Sequence, residues 1–249
     1  MTINQTLAQL KELSLCGMHE AAVFQLNTIT FSKLPFEERL AHLVENEISV
    51  RANKKFERLF KNSKIRYKQS CLEDIDYSSS RKIDQNLILS LSDCQWIDRH
   101  QNIIVTGPTG TGKSYIASAF GVQACRKNYN VIFYTATELF EVISRAVVDG
   151  TLIKLKRNLL KCKMLIIDDF GIGGVDVNIG PILLEIIDRK TQTGSVIITS
   201  QFPPSKWYDL FNDPTIADAV LDRLVYQAHY IELQGESMRK KNRLTTKLG

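Results

Sequence analysis

Apolar and polar positions change rhythm along this chain. Over residues 1 to 62 the apolar residues recur at helical spacing. Leu7, Leu10, Leu13 and Leu15 make an imperfect stripe, which Gly17 is expected to end. A second short helix is expected over Met18 to Leu26. Pro35 opens a third, with Phe36, Leu40, Leu43, Val44 and Ile48 on one face, which continues to Phe60. Residues 63 to 83 carry Ser78-Ser79-Ser80 and scattered charges and read as a linker packed on a core. Ile83 to Leu91 reads as a helix. From Asn102 the pattern turns to short, nearly continuous apolar runs. Ile103-Ile104-Val105, Val131 to Tyr134, Met164 to Ile167, Val196 to Thr199 and Tyr230 to Leu233 read as five strands. Every connection has room for a helix, which predicts an α/β fold with a mostly parallel five-stranded sheet and flanking helices. The expected division is a small all-helical domain over 1–68, a linker and helix over 69–95, and a nucleotide-binding domain over 96–249.

That last assignment rests on Gly107-Pro108-Thr109-Gly110-Thr111-Gly112-Lys113-Ser114, which matches the phosphate-loop pattern. A strand precedes it and a helical pattern over Tyr115 to Phe120 follows, the context a P-loop NTPase requires. Glycines let backbone amides converge at a helix N-terminus, where negative charge is favoured. Lys113 is placed to reach the β- and γ-phosphates, and the Ser114 hydroxyl to hold Mg²⁺. The strand Met164 to Ile167 runs into Asp168 and Asp169. Strand ends in such sheets face the ligand crevice, so Asp168 is expected to hold Mg²⁺ and Asp169 to orient and polarise an attacking water. Thr199-Ser200-Gln201 ends the fourth strand, and the Gln201 amide could bridge the γ-phosphate and that water.

Charge adds a second partner. The net charge is +5, from 32 Lys and Arg against 27 Asp and Glu. Residues 51 to 68 hold Arg51, Lys54, Lys55, Arg58, Lys61, Lys64, Arg66 and Lys68 against Glu57 alone, and residues 239 to 247 are basic without an acid. Clusters of this kind suit a nucleic-acid backbone. No apolar run is long enough to span a bilayer, so no membrane partner is expected, and no signal peptide is expected at Met1 to Leu10. Cys16, Cys71, Cys94, Cys125 and Cys162 are widely spaced with no CxxC pair, which points to reduced thiols in a cytoplasmic protein.

Beyond these, Trp207, Asp213-Pro214-Thr215-Ile216-Ala217-Asp218-Ala219, Asp222-Arg223-Leu224 and Gly235-Glu236-Ser237-Met238-Arg239 follow Thr199-Ser200-Gln201, and Phe36-Glu37-Glu38-Arg39-Leu40 with Glu47 and Arg51 precedes it. Together they resemble the IstB-type transposition helper ATPases, a branch of the AAA+ ATPases close to the DnaC-type helicase loaders. The resemblance covers most of the chain. It implies an AAA+ fold without a full C-terminal lid and gives Gln201 the sensor-1 position. Arg223 looks like an arginine finger reaching the γ-phosphate held by a neighbouring subunit, and Arg239 like a sensor-2 arginine contacting its own nucleotide. The alternative for Arg223 is a surface ion pair with Asp218 or Asp222. Many relatives carry Glu where Asp169 stands, and the shorter carboxylate implies a closer water or slow turnover.

The resemblance implies an ATP- and Mg²⁺-dependent accessory protein of DNA transposition. It would form a homo-oligomer on duplex DNA with ATP at subunit interfaces, and recruit or regulate a partner transposase of the same mobile element. Hydrolysis would be stimulated by DNA and assembly. Expected DNA contacts are Arg51, Lys54, Lys55, Arg58, Lys61, Lys154, Lys156 and Arg157, without base readout. Alternatives are a replicative helicase loader, or a nucleotide-switched interaction protein with little turnover. Phe56, Phe60 and Tyr67 are too scattered to make the stacking platform a single-strand binder uses.

Overall fold

A computed structural model describes residues 2–238. It divides the chain into two compact units, Met1–Arg58 and Leu59–Gly249.

The first unit is helical, with α1 at Ile3–Glu12, α2 at Cys16–Asn27 and the larger part of α3, Phe36–Ser63. Thr2 and Gln5 cap α1 reciprocally: each side chain accepts from the other residue's backbone N–H. Gly17 does not end a helix as expected; α1 stops at Glu12 and Gly17 lies within α2. Its role is close approach. A Cβ there would lie 2.6 Å from the Glu47 Cα on α3. The Leu15 cap of α2 makes no side-chain hydrogen bond. Glu47 Oε2 compensates by accepting the Met18 N–H at 3.0 Å, and Asn46 Nδ2 donates to the Gly17 carbonyl at 2.8 Å. Glu47 Oε1 also takes Arg51 Nε at 2.6 Å.

The second unit is built on five strands: β1 Asn102–Thr106, β2 Val131–Thr135, β3 Met164–Phe170, β4 Ser195–Ser200 and β5 Ala228–Glu232. Their order is β2-β3-β4-β1-β5 and every pairing is parallel. Central strands buried on both faces need continuous apolar runs. That is why β1, β3 and β4 were legible, and their apolar side chains are almost wholly buried. The helices are α4 Gln85–Leu91, α5 Gln95–Asp98, α6 Lys113–Arg126, α7 Ala136–Val148, α8 Leu152–Lys161, α9 Gly180–Thr193 and α10 Pro214–Val225. Asp84 and Asp213 cap α4 and α10 through their carboxylates, and Pro214 sits at the first turn of α10.

Two features shape the C-terminal edge of the sheet. First, β1, β4 and β3 lie side by side with Thr106 opposite Ser200 and Ser200 opposite Phe170, so their C-terminal ends meet. Second, β3 is longer than its apolar run. It continues through Asp168 and Asp169 to Phe170, and its pairing with β4 shifts between Ile167 and Phe170. Asp169 there has φ +56°, a left-handed backbone inside a strand.

Candidate nucleotide site

The loop after β1 carries the glycine motif, and α6 begins at Lys113. Gly110, at φ +84°, shows why the motif is glycine-rich: its carbonyl accepts the Met238 N–H at 2.9 Å, and a Cβ would lie 2.2 Å from Ser237 Oγ. The described part of the Gly235-to-Arg239 motif therefore lies directly on the phosphate loop. Lys113 is buried, and its Nζ donates to the carbonyls of Gly107 at 2.8 Å and Pro108 at 3.0 Å. Thr109 Oγ1 donates to Gln201 Oε1 at 2.8 Å, which joins the loop to the end of β4.

Beside the loop stands the acid pair. Asp168 is fully buried, and its Oδ1 accepts from Thr199 Oγ1 at 2.5 Å. Its Oδ2 is buried with no hydrogen-bond partner, and Arg66 Nη1 lies 3.9 Å away. Burial raises the pKa of this carboxyl above its ordinary value, against the opposing pull of the Thr199 and Ser114 hydroxyls. The Asp169 backbone N–H donates to the same Thr199 hydroxyl at 2.9 Å, so one β4 side chain fixes both acids. Ser200 Oγ donates to the Phe170 carbonyl at 2.6 Å and accepts from Trp207 Nε1 at 3.1 Å. Trp207 is fully buried edge-on to Phe170. Each residue of Thr199-Ser200-Gln201 thus bonds an element bordering the pocket.

The pocket encloses about 450 Å³. One side is the loop and α6, with Gly110, Gly112, Lys113 and Ser114; Asp169 and Gln201 stand at the strand ends. The other side comes from the stretch expected to be a linker packed on the core, with Tyr67, Ile75 and Arg81. These three were missed. Isolated apolar residues such as Ile65, Leu72 and Ile75 in a polar stretch signal packing, and all three are buried, but spacing does not say against what.

A family model described as IstB-like ATP binding protein matches residues 8–246. The chain belongs to the IstB-like family. A protein of Sinorhizobium fredii named as an insertion sequence ATP-binding protein is 38% identical over 98% of this chain and 99% of its own length. One from Pseudomonas fluorescens, named for an insertion sequence and for ATP binding, is 38% identical over 82% of this chain and 89% of its own. Among solved structures, the DnaC helicase loader superposes with a TM-score of 0.55 at 14% identity, over 66% of this chain and 97% of its own, a likeness of fold. The fold of the second unit is thus that of an AAA+ P-loop nucleotide-binding protein.

In this IstB-like chain Arg223 does not line the pocket around Lys113. It lines a separate depression with Asn102 and Tyr226, near the end of α10. It is ion-paired through Nε with Asp188 of α9, not with Asp218 or Asp222, and Nη1 donates to the Ala219 carbonyl at 2.9 Å. Asn102 Nδ2 ties this helix end to β1 through the Arg223 and Leu224 carbonyls. Arg239 lies outside the described residues. Of the basic candidates, Arg51, Lys54, Lys55, Arg58 and Lys61 are exposed along α3, and Arg51 also pairs with Glu47. Lys154 and Arg157 are exposed on α8, whereas Lys156 is held by Glu185 of α9. The five cysteines are free. Among the described residues no helix is long and apolar enough to cross a membrane.

Proposed function

We propose that this chain is an ATP-dependent accessory protein of DNA transposition. It binds ATP at the β1 loop, assembles side by side on duplex DNA, and hydrolyses ATP to control how that assembly recruits or regulates a transposase. One observation carries the reading: Lys113, Asp169 and Gln201 line one pocket at the ends of three adjacent strands, with Asp168 buried next to Asp169, in a chain alike over nearly its full length to an insertion sequence ATP-binding protein.

The loop amides and Lys113 grip the phosphates. Ser114 and Asp168 fit Mg²⁺, because Asp168 Oδ2 is a buried oxygen without a hydrogen-bond partner and hard cations take such oxygens together with substrate phosphates. When bound, Mg²⁺ offsets the charge of the phosphates. Asp169, half-buried at the pocket edge, polarises the attacking water, and Gln201 orients that water against the γ-phosphate. Arg223 serves the site of a neighbouring subunit, in keeping with its distance from its own pocket lining, and Arg239 serves its own. DNA is held by its backbone through Arg51, Lys54, Lys55, Arg58 and Lys61 of α3 and through Lys154 and Arg157 of α8. Lys156 joins them only if it leaves Glu185.

The test is nucleotide-dependent assembly. The protein is mixed with a duplex or a single strand of equal length, with ATP, a slowly hydrolysed analogue or ADP, and particle size is followed by light scattering and electron microscopy. Large particles on duplex with ATP or the analogue, lost with ADP, are expected. A preference for single strands would replace this reading with that of a helicase loader. Absence of assembly on either would refute DNA-coupled assembly.

A further inference from the structure

The segment between α3 and α4 carries an arginine that neither the phosphate-loop pattern nor the resemblance assigns. Arg81 is 7% exposed. Its Nη1 donates to the Asp76 carbonyl at 2.9 Å, and its Nη2 donates to the Thr111 carbonyl inside the phosphate loop. The guanidinium lies against the loop's last glycine: a Cβ at Gly112 would be 3.0 Å from Nη2. Gly112 is favoured by its φ of +98°, and a side chain there would also press on the guanidinium. The backbone around Arg81 is clamped as well. Its carbonyl accepts the Gln234 N–H at 3.1 Å, and Gly235 approaches so closely that a Cβ would lie 2.9 Å from the Ser80 carbonyl. The segment after β5 in turn bonds Gly110 through Met238. Two stretches far apart in sequence thus close around the phosphate loop, with a cation at their meeting point.

A guanidinium offers five N–H donors in a planar fork suited to phosphate oxygens. Burying one is costly unless carbonyls and an anion compensate it. Arg81 lines the same pocket as Gly112, Lys113 and Ser114. Burial also pulls its pKa below the ordinary arginine value, against the opposing charge of Asp76, and a bound polyphosphate would oppose it further.

We propose that Arg81 is a nucleotide-binding residue, which braces the phosphate loop through Thr111 and presents its fork to a phosphate of a bound nucleoside di- or triphosphate. The proposal rests on the reading of the pocket as an ATP site. It gives the linker a direct grip on the nucleotide, so the segment following the basic helix α3 responds to what the pocket holds.

The test compares the full chain with Arg81→Gln and Arg81→Lys by calorimetric titration with ATP and with ADP, alongside melting of the ligand-free proteins. Arg81→Gln is expected to weaken both nucleotides about 10- to 100-fold, the loss of one charge-assisted contact. Arg81→Lys, which keeps the charge but not the fork, is expected to recover part of that affinity at a similar melting temperature. Unchanged affinity in Arg81→Gln would overturn the proposal. So would equal losses in the two variants with a lowered melting temperature, which would make Arg81 a packing residue only. If the unaltered chain and Lys113→Ala bound ATP alike, the pocket itself would be misassigned, and the proposal would fall for that separate reason.

Discussion

Asp169 holds a left-handed backbone, φ +56°, within a strand and at a break in the β3–β4 register. Replacing it separates what the carboxylate does from what the backbone costs. In an ordinary strand Gly is less stable than Ala by about 0.5–1 kcal/mol, through its greater chain entropy. A left-handed position adds ~1–2 kcal/mol against an L-residue with a Cβ, and Gly escapes that term. The balance reverses the order: Asp169→Gly is expected to be more stable than Asp169→Ala by about 0.5–1 kcal/mol, or about 1–4 °C in melting temperature for a unit of this size. Asp169→Asn keeps the side-chain type that tolerates this region and is expected to melt with the unaltered chain. All three are expected to lose DNA-stimulated hydrolysis, because none carries the base. The assay is melting of the ligand-free full chain together with phosphate release in the presence of ATP and duplex. If Asp169→Ala melted as high as Asp169→Gly, the backbone would not be held left-handed. If Asp169→Asn still hydrolysed ATP, the catalytic role would be wrong.

Lys113→Ala is expected to abolish ATP binding, since it removes the cation and the two bonds that Nζ makes to the loop carbonyls; full affinity by calorimetry would contradict the loop assignment. The Arg223–Asp188 pair is about one-third exposed on each side, and such pairs contribute at most ~1 kcal/mol, so Asp188→Asn should barely alter melting and should not lower hydrolysis. Arg223→Ala should instead keep ATP affinity and lose DNA-stimulated turnover, which mixing with Asp169→Asn, whose own Arg223 is intact, should restore; no recovery would exclude a finger acting in trans. The Arg51 and Met18 bonds hold the Glu47 pKa below its ordinary 4.5, so the stability it lends is present above that value and is lost as pH falls through the lower folded one. Glu47→Gln should flatten the acid limb of helix melting there, and an unchanged limb would count against the Glu47 clamp on α2.

How far the chain could be read ahead of its structure depends on which residues act locally. Phosphate binding is local: glycines, a lysine and a hydroxyl within eight positions make a loop whose chemistry is complete once a strand precedes it and a helix follows. The three central strands β1, β3 and β4 were legible because strands buried on both faces are continuously apolar and do not alternate. The acid pair was legible because a strand in such a sheet delivers the residues that end it to the ligand crevice. The shift in β3 was not legible, since a left-handed Asp inside a strand is set by the Thr199 hydroxyl receiving its N–H, a contact across the sheet. Gly17 misled for a related reason. The residue that most often stops a helix also lets two helices touch, and only the partner, Glu47 on α3, decides between the two.

The linker is the strongest instance. Tyr67, Ile75 and Arg81 have no shared period and no motif, because they do not form an element of their own; Arg81 is held by the phosphate loop and the segment after β5, and Tyr67 packs on Tyr115 of α6. Polar composition made residues 63 to 83 look like a connection, yet Ile65, Leu72, Ile75 and Ile83 are buried and anchor the stretch at intervals. Anchors of this kind hold the intervening charged residues in place. That is how Arg66 comes to face Asp168 and Arg81 the loop. A segment whose buried positions follow no helix or strand period, and whose cations lie against a phosphate site, is better read as part of that site than as a tether.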